Sequence, residues 1–137
     1  MIDPCFVDSN VFVYAIDSRD QRKQQIARRL ISDLQTQGAL VLSTQVLLEF
    51  FHAATRKVGF PKMDALTAID AFSSGDIVPS TSELVRTAVE ISILDQQSVW
   101  DSMIIAAALQ RRCPILYSED LGTGRRIRGV EIRNPFS

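Results

Sequence analysis

The sequence predicts an α/β fold, a parallel-strand sheet with helices on both faces. Three observations carry this. Short apolar runs recur, each ended abruptly by polar or turn residues, and the first ones lack the polar alternation of half-exposed strands. Stretches with apolar residues at i, i+3, i+4 and i+7 separate these runs. Strand and helix alternate throughout, as they must where parallel neighbours need a crossover.

The first strand is Cys5-Phe6-Val7, closed by Asp8-Ser9-Asn10. Residues 11–16 are apolar and read as a short helical turn. Ser18-Arg19-Asp20-Gln21 matches a capping box. The helix after it buries Ala27, Leu30, Ile31 and Leu34. Its other face carries Arg22, Lys23, Arg28 and Arg29. That face reads as solvated, in preference to a phosphate-contacting rim.

Gly38 occupies the usual position after a helix end. Residues 39–42 form a second buried strand. Ser43 or Thr44 caps the next helix, which runs to about Lys57. Two apolar stripes, Val46/Phe50/Ala53 and Leu47/Phe51/Ala54, leave it largely buried, with Glu49 as its only acid.

Gly59-Phe60-Pro61 is a break, and Pro61 suits the first turn of a helix that buries Ala65, Ile69 and Phe72. Residues 76–79 form a short strand near an edge. Thr81 or Ser82 caps a helix with Leu84, Val85, Ala88 and Val89 inward. Ser98-Val99-Trp100-Asp101 opens the most hydrophobic helix. Pro114 permits only the start of a strand within residues 113–118. Residues 124–129 make a basic loop, and 130–132 a last strand.

At 137 residues, this is expected to be one domain spanning 1–137. A net charge of −1 gives no global field that would advertise nucleic acid, although a local basic rim is enough for that partner. Cys5 and Cys113 fall in core strands and read as small buried hydrophobes. The sequence shows no secretory signal and no apolar run near the ~20 residues of a membrane span. The expected location is cytoplasmic, with no membrane partner.

Four acids carry the chemistry: Asp8, Glu49, Asp101 and Asp120. Taken singly, each has a plainer reading. Asp8 could close an Asx-turn onto Asn10. Asp101 could complete a capping box begun by Ser98, and Asp120 could be a turn residue. Glu49 is the hardest to explain so, because burying a carboxylate unpaired on an apolar helix is costly. Together they gain weight. Asp8 and Asp120 end strands on one side of a parallel sheet, and Glu49 and Asp101 are expected in first turns of helices leaving that side. Four carboxylates without a matching base repel one another and call for divalent cations. All-oxygen ligation favours Mg²⁺, with Mn²⁺ as substitute, over zinc. Such ions activate water and neutralise charge in phosphodiester displacement.

Four blocks in this order and spacing resemble the PIN-domain ribonucleases, and within them the VapC-type toxins of toxin–antitoxin modules. They are Phe6-Val7-Asp8-Ser9-Asn10-Val11, Gln45-Val46-Leu47-Leu48-Glu49-Phe50, the stretch from Trp100-Asp101-Ser102 to Ala108, and Leu116-Tyr117-Ser118-Glu119-Asp120-Leu121, with Asn134-Pro135-Phe136 behind. The resemblance implies a PIN-like fold and Mg²⁺- or Mn²⁺-dependent cleavage of RNA, leaving a 5′-phosphate and a 3′-hydroxyl. By position, Asp8 and Asp101 resemble direct metal ligands, Glu49 a third acid, and Asp120 a fourth, more distant one. Asn10 and Ser118 match polar positions that orient the acids. The resemblance also implies a homodimer and a small antitoxin partner. Ser102 stands where alanine is common, and Glu119 leaves open which of the neighbouring acids faces the metal.

Other residues carry weaker signals. Arg125 and Arg126 are candidate RNA phosphate contacts, weighed equally against a solvated loop. His52 reads as a helix-face residue rather than a base. Trp100 reads as core rather than as a base-stacking ring. Gly122-Thr123-Gly124 lacks the lysine of a phosphate loop and reads as a turn. Two alternatives to a toxin remain at this level: a PIN nuclease with a housekeeping role in RNA processing or one acting on DNA, and a binding module whose acidic pocket docks a basic peptide.

Overall fold

The computed structural model describes residues 2–137. Its sheet is six-stranded. In chain order the elements are β1 (Cys5–Val7), α1 (Ser9–Ile16), α2 (Gln21–Thr36), β2 (Leu40–Ser43), α3 (Thr44–Arg56) and α4 (Lys62–Phe72). They continue with β3 (Asp76–Val78), α5 (Ser82–Asp95), α6 (Val99–Gln110), β4 (Ile115–Tyr117), β5 (Arg126–Ile127) and β6 (Val130–Arg133).

The strand order is β3-β2-β1-β4-β6-β5. All pairs are parallel except β5–β6. The chain moves from β1 to β2 and β3 in one direction, then returns across to β4 on the other side of β1. Right-handed crossovers therefore place α1–α4 on one face and α5–α6 on the opposite face. The direction reverses between β1 and β4, and open α/β sheets hold ligands outside the carboxyl ends of the strands at such a point.

Local chemistry explains the boundaries. Ser43 Oγ accepts from Val46 N, Thr81 Oγ1 from Leu84 N and Ser98 Oγ from Asp101 N, capping α3, α5 and α6. The cap of α2 differs from the capping-box expectation. Asp20, rather than Ser18, accepts from Lys23 N at 3.1 Å, because residues 18–20 turn before the helix begins. Gly38 has φ +66°, a left-handed conformation that costs glycine little.

The core is one cluster in which Phe6, Phe12, Phe50, Leu42, Ile105 and Leu116 are fully buried. Phe72 of α4 packs against Phe12 of α1 and Phe50 of α3, with centroids 4.5 and 5.2 Å apart. Cys5 and Cys113 are buried free thiols, as expected.

Two expectations about helix faces and one about a loop fail. On α5 the inward residues are Leu84, Ala88 and Ile91, while Val85 and Val89 are exposed. α3 is not buried all round: Val46, Phe50 and Ala54 face the core, and Leu48 and Glu49 face solvent. The basic loop contains a short strand, β5, pinned antiparallel to β6 by tertiary pairing. No helix among the described residues is long and apolar enough to cross a membrane.

Candidate active site

β1 ends at Asp8, whose N–H donates to the Tyr117 carbonyl at 2.9 Å and so extends the β1–β4 ladder by one residue. The next peptide turns into α1, with Asp8 as its N-cap. Asp8 is only 6 % exposed. Its Oδ1 accepts from Ser9 N at 2.7 Å. Its Oδ2 accepts from Ser118 Oγ at 2.8 Å and lies 3.3 Å from Asn10 Nδ2. All these donors are neutral, and no salt bridge among the described residues reaches Asp8. Burial pushes its carboxyl up to about 6, against the pull of the Ser118 and Ser9 hydrogen bonds. The charges of Glu49 and Asp120 push the same way.

Asn10 and Ser118 tie Asp8 to the segment after β4. Asn10 Nδ2 is shared among Asp8 Oδ2, Ser118 Oγ and Asp120 Oδ2, the last two at 3.2 Å. Asn10 Oδ1 accepts from Glu119 N at 3.1 Å, and Ser118 Oγ accepts from Asp120 N at 3.1 Å. One amide and one hydroxyl thus fix the position of Asp120 relative to Asp8.

Glu119 points elsewhere. Its Oε2 lies 2.5 Å from Lys23 Nζ, and its Oε1 accepts from Tyr14 OH at 2.8 Å. Hydrogen bonds to Glu119 and Tyr14 hold the Lys23 ammonium in its charged form, with its pKa raised. Sequence reasoning missed Tyr14 and Lys23. Tyr14 lay in an apolar run and Lys23 in a basic face, and the pairing partner is almost a chain length away. The same basic face proves only partly solvated, since Arg22 bonds the Phe136 carbonyl and Arg28 the Ala15 carbonyl.

Glu49 and Asp101 lie on neighbouring helix turns. The connection from Gln110 to Ile115 is too short to cross the molecule, so α6 ends at the amino side of the sheet and begins at the carboxyl side. α3 leaves β2 on that same side. Gln45 Nε2 links them, bonding Glu49 Oε2 at 3.3 Å and the Trp100 carbonyl at 3.2 Å. Glu49 sits in the second turn of α3, not the first, and it is exposed. The expected cost of burying it therefore does not arise. Asp101 is half-buried in the first turn of α6, where the helix dipole favours a carboxylate.

The arrangement brings Asp8, Glu49 and Asp120 within electrostatic reach and leaves Asp101 one residue from the turn that Gln45 holds. It does not close them into a shell. Among the described residues, no three His, Cys, Asp or Glu side chains stand together so as to hold a metal ion as placed. The donor chemistry still suits a hard cation: carboxylate oxygens, no free base among their contacts, and a buried acid whose charge is opposed only by neutral donors.

Trp100 is 69 % exposed rather than part of the core. His52 is exposed on α3, in keeping with a helix-face residue. Arg125 donates to the Leu121 carbonyl and Arg126 pairs with Glu131 at 3.2 Å, so each guanidinium already has a partner. A groove of about 500 Å³, lined in part by Arg22, Ile26, Arg29, Leu30 and Pro135, includes none of the four acids.

Comparison with known proteins places the fold. No curated protein matches the sequence. Several solved structures share the fold, among them these three. A Klebsiella pneumoniae toxin–antitoxin complex matches with a TM-score of 0.71 at 16% identity, covering 96% of this chain and 97% of that one. The Mycobacterium tuberculosis toxin VapC20, which cleaves the sarcin–ricin loop, matches at 0.68 and 22%, covering 85% and 90%. DNA-bound VapBC from Salmonella typhimurium matches at 0.68 and 16%, covering 98% and 99%. The PIN domain profile matches residues 5–127, and the chain belongs to the PIN domain family.

Proposed function

We propose that this chain is a metal-dependent endoribonuclease, acting as the toxin of a toxin–antitoxin pair. The observation that carries the reading is the buried Asp8. It sits at the β1/β4 switch point, is held by neutral donors only, and has two further carboxylates near enough to act on its charge. Buried charge without a base calls for a cation.

Asp8, Glu49, Asp101 and Asp120 would hold Mg²⁺, or Mn²⁺ in its place. When bound, the ions supply Lewis acidity, lowering the pKa of water and neutralising charge on the phosphate oxygens. The chain's own residues do the rest. Ser9, Asn10 and Ser118 keep Asp8 in one orientation. Glu49 and Asp101 each have solvent-facing surface and can turn toward Asp8 to complete the set. One of these carboxylates accepts the proton of the water that attacks phosphorus. The 3′-oxygen leaves, giving a 5′-phosphate and a 3′-hydroxyl. Asn10 and Ser118 are positioning residues in this scheme. Arg125 and Arg126 contact RNA phosphates only by giving up their present partners.

The toxin role draws on the likeness to VapC20 and to the two toxin–antitoxin complexes. It brings a small antitoxin protein as partner, a homodimer as the working assembly, and RNA as substrate. A second reading draws on the open arrangement of the acids: a binding module that docks a basic peptide in the acidic pocket.

Incubation of labelled single-stranded RNA with purified protein separates the two. The nuclease reading expects cleavage with Mg²⁺ or Mn²⁺, none with EDTA, and none by Asp101→Asn. Absence of metal-dependent turnover, with peptide affinity that survives Asp101→Asn, would favour the binding module. Growth arrest on expression, relieved by a neighbouring small gene, would separate toxin from housekeeping nuclease.

A further inference from the structure

We propose that Trp100 is the platform on which an unpaired base of the RNA stacks beside the scissile phosphate. The inference rests on the nuclease reading and adds a residue that would position the substrate at that site.

Trp100 is the second residue of α6, directly before Asp101, and its indole is 69 % exposed. An exposed aromatic ring at the edge of a candidate active site is a large, rigid apolar face open to a ligand. The residue's backbone is held against α3. The Trp100 carbonyl accepts from Gln45 Nε2 at 3.2 Å, and the same amide bonds Glu49 Oε2 at 3.3 Å. Gln45 therefore sets the ring's helix turn against the turn that carries Glu49. Leu48, beside Glu49 on α3, is 73 % exposed. Each of two proposed metal-holding acids thus has an exposed apolar neighbour next to it in sequence.

A ribonucleotide presents a phosphate and a base a few ångströms apart. The acids and their cation take the phosphate, and an aromatic face beside them takes the base. Every base has a π-face, so stacking tolerates sequence, but it needs a base free of its neighbours. In a helical duplex both faces are already covered. The substrate is then RNA unpaired at the cut: a single strand, a loop or a bulge.

Trp100 is the only tryptophan in the chain, so its fluorescence reports on this ring alone. The test has two arms. Cleavage by the full chain, by Trp100→Ala and by Trp100→Phe is followed in Mg²⁺ on one RNA, single-stranded and paired into a duplex. In parallel, the unaltered chain in Ca²⁺, which the same oxygen ligands can hold, is titrated with the single strand while Trp100 emission is read. The expected result is a rise of about tenfold in KM for Trp100→Ala with smaller change in kcat, and substantial rescue by Trp100→Phe. The duplex is a poor substrate for all three, and the single strand quenches emission.

A parent that cleaves while Trp100→Ala keeps the same KM overturns the inference and leaves the nuclease reading standing. Emission that shifts with protein concentration and not with RNA also overturns it, assigning the ring to a contact between two copies of the chain. A parent that cleaves nothing removes both readings.

Discussion

Lys23 Nζ lies 2.5 Å from Glu119 Oε2, although 96 positions separate the two residues. Tyr14 OH holds the other carboxylate oxygen of Glu119. This clamp spends the charge of Glu119 on α2 and leaves Asp120, tied to Asn10, as the acid that faces Asp8. The choice between neighbouring acids that the sequence leaves open is thereby given a physical basis.

Asp120→Asn is therefore expected to lower kcat or metal affinity by about 10–100-fold. Glu119→Gln keeps the hydrogen bond to Tyr14 and is expected to change either by less than about threefold. Steady-state cleavage over a range of Mg²⁺ concentrations compares them. The reverse ranking would place Glu119 at the metal.

The buried Asp8 makes metal-free stability depend on pH. Its carboxyl is raised to about 6 in the folded chain, above the ordinary value of 3.8. The folded state then binds the proton more tightly than the unfolded one. The associated stability is present below about pH 4 and is lost as pH rises through about 6. Denaturant melts in EDTA should show this fall. Asp8→Asn should flatten it and be more stable at pH 7 by about 1–3 kcal/mol. Saturating Mn²⁺ should restore the parent at pH 7 and raise Asp8→Asn by less.

Ser102 Oγ is buried without a hydrogen-bond partner among the described residues, one residue beyond Asp101 in the most apolar helix. An orphaned hydroxyl of this kind costs about 1–3 kcal/mol. Ser102→Ala is expected to exceed the parent in thermal melts by about 1–3 kcal/mol, since it removes that cost and alanine also favours the helix. Marked destabilisation would show that the hydroxyl has a partner in solution.

The sheet was legible because its strands are short, apolar and separated by capped helices. Ser43, Thr81 and Ser98 mark helix starts that local chemistry alone decides. Asp8 was legible for the same reason, as the polar end of a buried strand. Faces were harder. On α3 two apolar stripes overlap, and only tertiary packing decides that Val46 and Phe50 turn inward while Leu48 turns out. On α5 the stripe through Leu84, Ala88 and Ile91 competes with one through Val85 and Val89, and periodicity does not rank them. β5 has two residues and exists only by pairing with β6. The Lys23–Glu119 clamp and the Gln45 bridge are long-range pairs between polar residues that look ordinary in sequence.

The central claim is that Asp8, Glu49, Asp101 and Asp120 together hold a divalent cation. Isothermal titration of the metal-free chain with Mn²⁺ at pH 7 tests it most directly, with Asp8→Asn and Asp101→Asn beside the parent. The account predicts saturable binding by the parent, weakened at least about tenfold in each variant. Binding by Asp8→Asn that matches the parent would contradict it.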